Sequence, residues 1–439
     1  MSITGAPSVP SAPLPQGAPS QRTGPSGPGS SGYGYDIERS DPRAPGRLGS
    51  GREPRRKRSR LWRIIYWALV FLGLAATAVV LYLLVILPLG FGTSLVAFTA
   101  ALVPVALVFS AVWWLDRYTP QPRTSLVYAF VWGAIGSVGL TFMIGGAFQN
   151  WISPEEPADI VASFLGAVIQ APVIEEAMKS LGLVALLIWG RKYIAGPIDG
   201  VVYASLIAGG FAFTENILYF GSSFHQSQAA GEVAVFWQTF FLRGLLSPFA
   251  HVSFTALCGL GLGIAAERRS LMLYFGLGIG GLSLGMLLHA LWNGSSFFLP
   301  VDPEAPLAGF LRYYVTVQVP IFALLVGIAL FLRLRERRIL RRRLSDYGRA
   351  GWFSPEEVDL LVAMGRRRRA ERWAARHGAI ARMAMRDFLR TAIALGMERH
   401  SVLHGRPTAR TRAMERERLE RLTADRRLIG ALTSPVVRG

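Results

Sequence analysis

The sequence predicts an all-α fold: a polytopic membrane helical bundle with about eight transmembrane helices, a disordered N-terminal tail and a helical cytoplasmic C-terminal tail. Three observations predict it. Hydrophobic residues make up 51% of the 439 residues, and the mean hydropathy is +0.34. The apolar residues come in blocks of about 20 or more, the length that crosses a bilayer as helix. The basic residues fall in alternate loops, the pattern that sets membrane orientation.

Residues 1–60 are rich in Pro, Gly and Ser and have almost no apolar runs. Such a segment buries too little surface to offset chain entropy and is expected to be disordered. It ends in the basic cluster "REPRRKRSR". The first apolar block begins after residue 60 and is too long for the core of a signal peptide. Residues 61–332 read as the membrane domain, with spans near 62–87, 92–114, 124–148, 160–189, 198–221, 244–266, 272–298 and 309–332. The apolar piece "VAVFWQTFFL" (233–242) is too short to cross, and reads as interfacial, re-entrant or an extension of span six.

Basic residues cluster before span one, in "DRYTPQPR", at 191–192, at 268–269 and after span eight, whereas "NWISPEEPAD", 222–232 and "PVDPEAP" contain none. An even number of spans puts every basic stretch on one side and both termini in the cytoplasm of a bacterial plasma-membrane protein. Arg243, at the outer start of span six, is the exception. Residues 333–439 form a basic tail in which "SPEEVDLLVAMG" opens with a capping box, Ser354 to Glu357, with two or three amphipathic helices expected to follow. It reads either as a solvated helical tail or as a module that docks on a partner or on anionic lipid.

Net charge is +19, carried by 44 arginines and only three lysines (Lys57, Lys179, Lys192). That skew fits a GC-rich genome, and no nucleic-acid binding is expected from it. Cys258 is the single cysteine, which excludes an intrachain disulfide and a thiolate metal cluster.

The informative residues are polar ones inside the spans, where each charge costs roughly 2.5–3.5 kcal/mol. Span four contains "APVIEEAMKSLGL", with Glu175 and Glu176 adjacent and Lys179 one turn on. Neighbours on a helix lie ~100° apart, so one glutamate faces a site and the other a neighbouring helix. A plain Glu175–Lys179 ion pair stapling helices is the competing reading. Span five contains "GFAFTENILYF", with Phe211 and Glu215 on one face and Asn216 following. His251 opens span six, and span seven places His289 and Asn293 four apart in "LLHALWNG". By helical rise, Glu215, His251 and His289 lie about six, seven and nine residues from the outer ends of their spans, and Glu175 about fifteen. The four groups can meet in the outer half of the bilayer.

This set has the ingredients of hydrolysis. Neutral imidazoles and a carboxylate (Glu215, His251 and His289) can hold Zn²⁺ with a fourth position left for water. A second carboxylate then acts as general base, and Asn293 is a candidate oxyanion donor.

"EEAMK", "FAFTEN", the isolated His251 and "HALWN" together resemble the motif set of the PrsW family, intramembrane endopeptidases related to the CAAX-prenyl-protease and bacteriocin-processing superfamily. The flanks "WLDRYTPQPR", "GPIDGVVYAS" (with Asp199) and "SPFAHVSFTA" agree, and the resemblance covers roughly residues 110–300. It implies cleavage of a single-span or lipid-anchored membrane protein, often an anti-sigma factor, and acts in contact with membrane lipid. It makes Glu175, Glu176, Glu215, His251, His289 and Asn293 the catalytic set, supported by Lys179, Asn216 and Asp199. Glu215 stands where the CAAX-type relatives have His, so a metal-free glutamate–histidine mechanism stays open beside a zinc one. Two other classes also stay open: a proton- or cation-coupled transporter, and a catalytically silent protease-like scaffold.

Overall fold

The computed structural model describes residues 72–152, 160–189, 193–298, 306–403 and 409–433, and these contain helices and no strand. The predicted disordered tail and the first ten residues of predicted span one lie outside the described residues.

Among the described residues, nine helices build the membrane bundle: α1 (72–89), α2 (Phe91–Leu115), α3 (123–152), α4 (160–189), α5 (Pro197–Ala230), α6 (234–246), α7 (Ala250–Arg268), α8 (Leu271–Phe298) and α9 (306–349). The polytopic all-α reading holds. By length and composition, six helices among the described residues suffice to cross a membrane, with α6 and α7 counted as one. α4 is as long, but Glu175, Glu176 and Lys179 interrupt its apolar run.

The segment 233–242 does extend span six, as a broken helix. Pro248 disfavours helical geometry at the residue before it, and Ser247 leaves the helix (φ −123°, ψ 34°). The chain re-enters at Ala250, which puts His251 in the first turn of α7.

Close approach of α5, α7 and α8 positions the site. A Cβ on Gly200 would lie 1.9 Å from Gly259 O, and one on Gly285 would lie 2.5 Å from Phe254 O. Only glycine permits helices so near. The runs "GLGLG" and "GLGIGGLSLG" thus seat α7 between α5 and α8, so that residues 215, 251 and 289 share one interior. α5 ends at Gly231, which adopts the left-handed cap conformation (φ 69°).

Predicted span eight does not stop at residue 332. α9 runs on to Arg349, since nothing breaks it before Gly351 (φ 84°). Its extension buries Leu340, Leu344 and Tyr347 in a second core with Phe353, Leu361, Phe388 and Leu395. Four further helices among the described residues complete that core: α10 (Pro355–Val362), α11 (Met364–Arg376), α12 (Ala379–Leu403) and α13 (Ala409–Thr433). They outnumber the expected two or three because the chain turns at Ala363 (extended, ψ 111°) and Gly378 (φ 106°). The capping box forms: Glu357 N–H donates to Ser354 Oγ at 3.2 Å, and Ser354 N–H to Glu357 Oε2 at 3.0 Å.

The second core is fastened to the bundle. Glu267, at the end of α7, accepts Arg335 at 2.7 and 2.9 Å and meets His400 at 2.6 Å. Thr119 donates to Glu336 at 2.7 Å, and Arg269 to Ser401 at 2.9 Å.

Candidate active site

α4 presents Glu175, Glu176 and Lys179 to the interior, one helical stretch after a wide π-type turn at Gly166–Gln170. Such turns recur at functional sites. Lys179 is fully buried and places its three N–H donors on three acceptors: Glu176 Oε1 at 2.8 Å, Glu175 Oε2 at 3.2 Å and His251 Nδ1 at 3.1 Å. Its ammonium also lies 3.9 Å from the centre of the Phe211 ring, a cation–π contact.

These contacts fix the imidazoles. An ammonium has no lone pair, so His251 Nδ1 accepts and its Nε2–H donates to Glu215 Oε2, 2.7 Å away. Glu215 Oε2 also takes Arg243 at 2.7 Å. His289 Nδ1 lies 3.1 Å from Glu176 Oε1, which leaves Nε2 turned toward Glu175 Oε2 at 3.9 Å. Phe254 stacks on the His289 ring (centroids 4.8 Å apart, 18° between planes) and walls the site.

The two adjacent glutamates differ. Glu176 has both oxygens engaged, Oε1 by Lys179 and His289 and Oε2 by the Thr255 hydroxyl at 2.7 Å, and its side chain is 1% exposed. Glu175 is held at hydrogen-bond distance by Lys179 through Oε2, and its side chain is 11% exposed.

Among the described residues, one group of three has the spacing to hold a metal: Glu175, His251 and His289, each offering one ligand atom within 4.8 Å of the others. The sequence reading had Glu215 in that set. The structure has its carboxylate facing Arg243 and the far nitrogen of His251, the outer position from which a carboxylate orients a histidine. The trio fits a metal in kind and number, two imidazoles and a carboxylate with room for a fourth ligand. Three carboxylates against two cations, Lys179 and Arg243, also leave one negative charge to balance. The Lys179 ammonium, seated between Glu175 and His251, is the group with which a metal would share them.

Glu175, Glu176, Lys179, Glu215, His251 and His289 therefore converge. Glu175 meets His289 although it lies about fifteen residues from the start of α4 and His289 about nine from the end of α8. Asn216 stands beside the group and accepts Arg243 Nε–H at 3.2 Å. Asn293 donates to Ala167 O at 2.8 Å, tying α8 to the wide turn of α4. Asp199 is not brought in: it caps the first turn of α5 by accepting Ala195 and Gly196 N–H and the Gln121 amide at 2.9, 3.0 and 2.6 Å, about 24 Å along the helix from Glu215. Sequence reasoning missed Thr255, a hydroxyl in an apolar helix, and saw Arg243 only as a breach of the charge bias.

Residues 121–325 match the PrsW family of intramembrane metalloproteases. The match covers just under half of the chain and takes in all the site residues described above. It is 27% identical over 226 residues to the protease PrsW of Oceanobacillus iheyensis, covering 49% of this chain and 92% of the relative. It is 28% identical over 166 residues to the protease PrsW of Clostridioides difficile (37% of this chain, 63% of the relative). For the Geobacillus kaustophilus protease PrsW the figures are 27% over 180 residues, 40% and 71%. No solved structure matches the chain. With its bilayer-length apolar helices, this match makes the chain a multi-pass membrane protein and an intramembrane peptide hydrolase. All the converging site residues lie inside the matched region, and the second core, from Leu340 onward, lies outside it.

Proposed function

We propose that the chain cleaves a single-span or lipid-anchored membrane protein, such as an anti-sigma factor, in the plasma membrane, with Glu175 as the residue that meets the hydrolytic water. Both termini face the cytoplasm in this reading. The observation that carries it is the asymmetry of the glutamate pair: Glu176 is saturated and sealed, whereas Glu175 is the more open and the less bonded.

The division of labour follows. Glu176 fixes Lys179, His289 and Thr255 in register. Lys179 holds Glu175 by Oε2, which leaves Oε1 to take the water's proton and pass it to the leaving amine. His289 Nε2, its tautomer set by the Nδ1–H donated to Glu176, orients the water. Asn293, one turn from His289 on the same face of α8, is assigned the developing oxyanion. A metal such as Zn²⁺, held by Glu175, His251 and His289, would lower the pKa of a bound water and polarise the scissile carbonyl.

The test compares cells expressing the wild type and Glu175→Gln, reading the host's single-span membrane proteins by terminal-peptide mass spectrometry. Fragments should appear with the wild type and vanish with the variant, as general-base loss is worth roughly 10²–10⁴ in rate. Equal fragments from both would overturn the assignment.

A further inference from the structure

We propose that Arg243 is a positioning residue for the reaction: it fixes the Glu215 carboxylate and, through it, the tautomer and orientation of His251. The inference rests on the hydrolytic reading above and adds a residue to it.

Arg243 stands at the outer start of span six, the side on which the loops carry no lysine or arginine. An arginine entering a bilayer from that side needs a partner. The structure supplies three, all on α5. Nη2 lies 2.7 Å from Glu215 Oε2. Nε–H donates to Asn216 Oδ1 at 3.2 Å. The guanidinium carbon sits 3.7 Å from the centre of the Tyr219 ring. Carboxylate, amide and aromatic face together use the charge, the fork and the plane of the group. A lysine would reproduce only the first.

The location gives these contacts a consequence. Arg243 lies in the wide helical turn Phe240–Leu246, just before the chain breaks and re-enters as α7 with His251 in its first turn. Arg243 and His251 Nε2–H share one acceptor atom, Glu215 Oε2. His251 in turn takes Lys179 on Nδ1, and Lys179 holds both Glu175 and Glu176. One chain of contacts therefore runs from Arg243 at the outer side to the glutamate that meets water. Remove the guanidinium, and Glu215 loses the group that holds it against His251. The imidazole is then free to exchange tautomers, and Lys179 loses an oriented acceptor.

A mere staple between α6 and α5 would share the geometry, so the test separates stability from turnover. Full-length wild type, Glu175→Gln, Arg243→Gln, Arg243→Lys and Glu215→Gln are reconstituted in nanodiscs. The substrate is a host single-span protein that the wild type cuts. In folded Arg243→Gln, kcat should fall by about 10- to 100-fold with KM within twofold of wild type. Arg243→Lys, which restores the charge beside Glu215, should recover part of the loss. Arg243→Gln should add little on the Glu215→Gln background. Arg312→Gln, an outer arginine away from the site, should match wild type. Should Arg243→Gln fail to fold, Tyr219→Leu makes the same comparison by removing the ring under the guanidinium. A kcat near wild type in folded Arg243→Gln or Tyr219→Leu overturns the proposal, as does an equal loss in the wild-type and Glu215→Gln backgrounds. Cleavage by Glu175→Gln at the wild-type rate, or no cut protein at all, would instead sink the hydrolytic reading on which it rests.

Discussion

His289 Nδ1 sits 3.1 Å from Glu176 Oε1, and both side chains are almost wholly buried. The contact turns Nε2 of the same ring toward Glu175. One glutamate therefore sets the tautomer of the histidine that faces the other. The motif needs two adjacent carboxylates because an α-helix points them ~100° apart, one inward to the anchoring network and one toward the opening.

Thr255 tests the anchoring role. Its hydroxyl is the sole donor to Glu176 Oε2 among the described residues, at 2.7 Å. Thr255→Val keeps the shape and deletes the donor, which leaves a buried carboxylate oxygen unsatisfied. Losing such a partner costs about 1–3 kcal/mol. Thermal unfolding in detergent should show a lower midpoint for Thr255→Val and a midpoint near wild type for Thr255→Ser. An unchanged Val variant would mean that Oε2 needs no donor.

Metal content tests the trio. Protein purified in detergent and equilibrated with zinc should retain about one ion per chain by elemental analysis, in keeping with a two-imidazole, one-carboxylate site. Glu175→Ala or His289→Ala should lose it. Glu215→Ala removes only an outer carboxylate, so its loss of affinity should be about 10- to 100-fold rather than complete. Complete loss in Glu215→Ala with full retention in Glu175→Ala would restore Glu215 to the ligand set.

Much of this was legible in the sequence for one reason: charge inside an apolar run is conspicuous. Glu175, Glu176, Glu215, His251 and His289 stand out against bilayer-length blocks, and the structure gathers all five. What stayed hidden depends on which helix faces which. A helical wheel orders the residues of α4 against one another, but it does not say that Glu175 meets His289 while Glu215 meets the far side of His251. That choice is made by glycine contacts such as Gly200 on Gly259 and Gly285 on Phe254. Thr255 was invisible because hydroxyls in apolar helices commonly bond their own backbone, as Thr99 does with Leu95 O. The length of α9 was missed because hydropathy marks where a span leaves the lipid, and the helix there simply continues into a second core.

Asp116 gives a prediction in pH. It follows the last turn of α2, in the loop that leads to Gln121, and its carboxylate oxygens accept the Gln121 N–H at 3.1 and 3.2 Å. Burial pushes its carboxyl from 3.8 up to about 6, against the pull of that N–H. In the unfolded chain the group ionises near pH 4. Between about pH 4 and 6 the folded protein therefore keeps a proton that the unfolded chain has released. Stability falls as pH rises through that window, because the unfolded state binds fewer protons there. Above it, the fold carries the whole cost of a partly buried charge. Asp116→Asn keeps an acceptor for Gln121 and removes the ionisation. Its unfolding midpoint should exceed that of wild type by a few degrees near pH 7.5, and the difference should close near pH 4. A variant less stable than wild type at both pH values would mean that the Asp116 charge is balanced in the fold and that burial does not govern it.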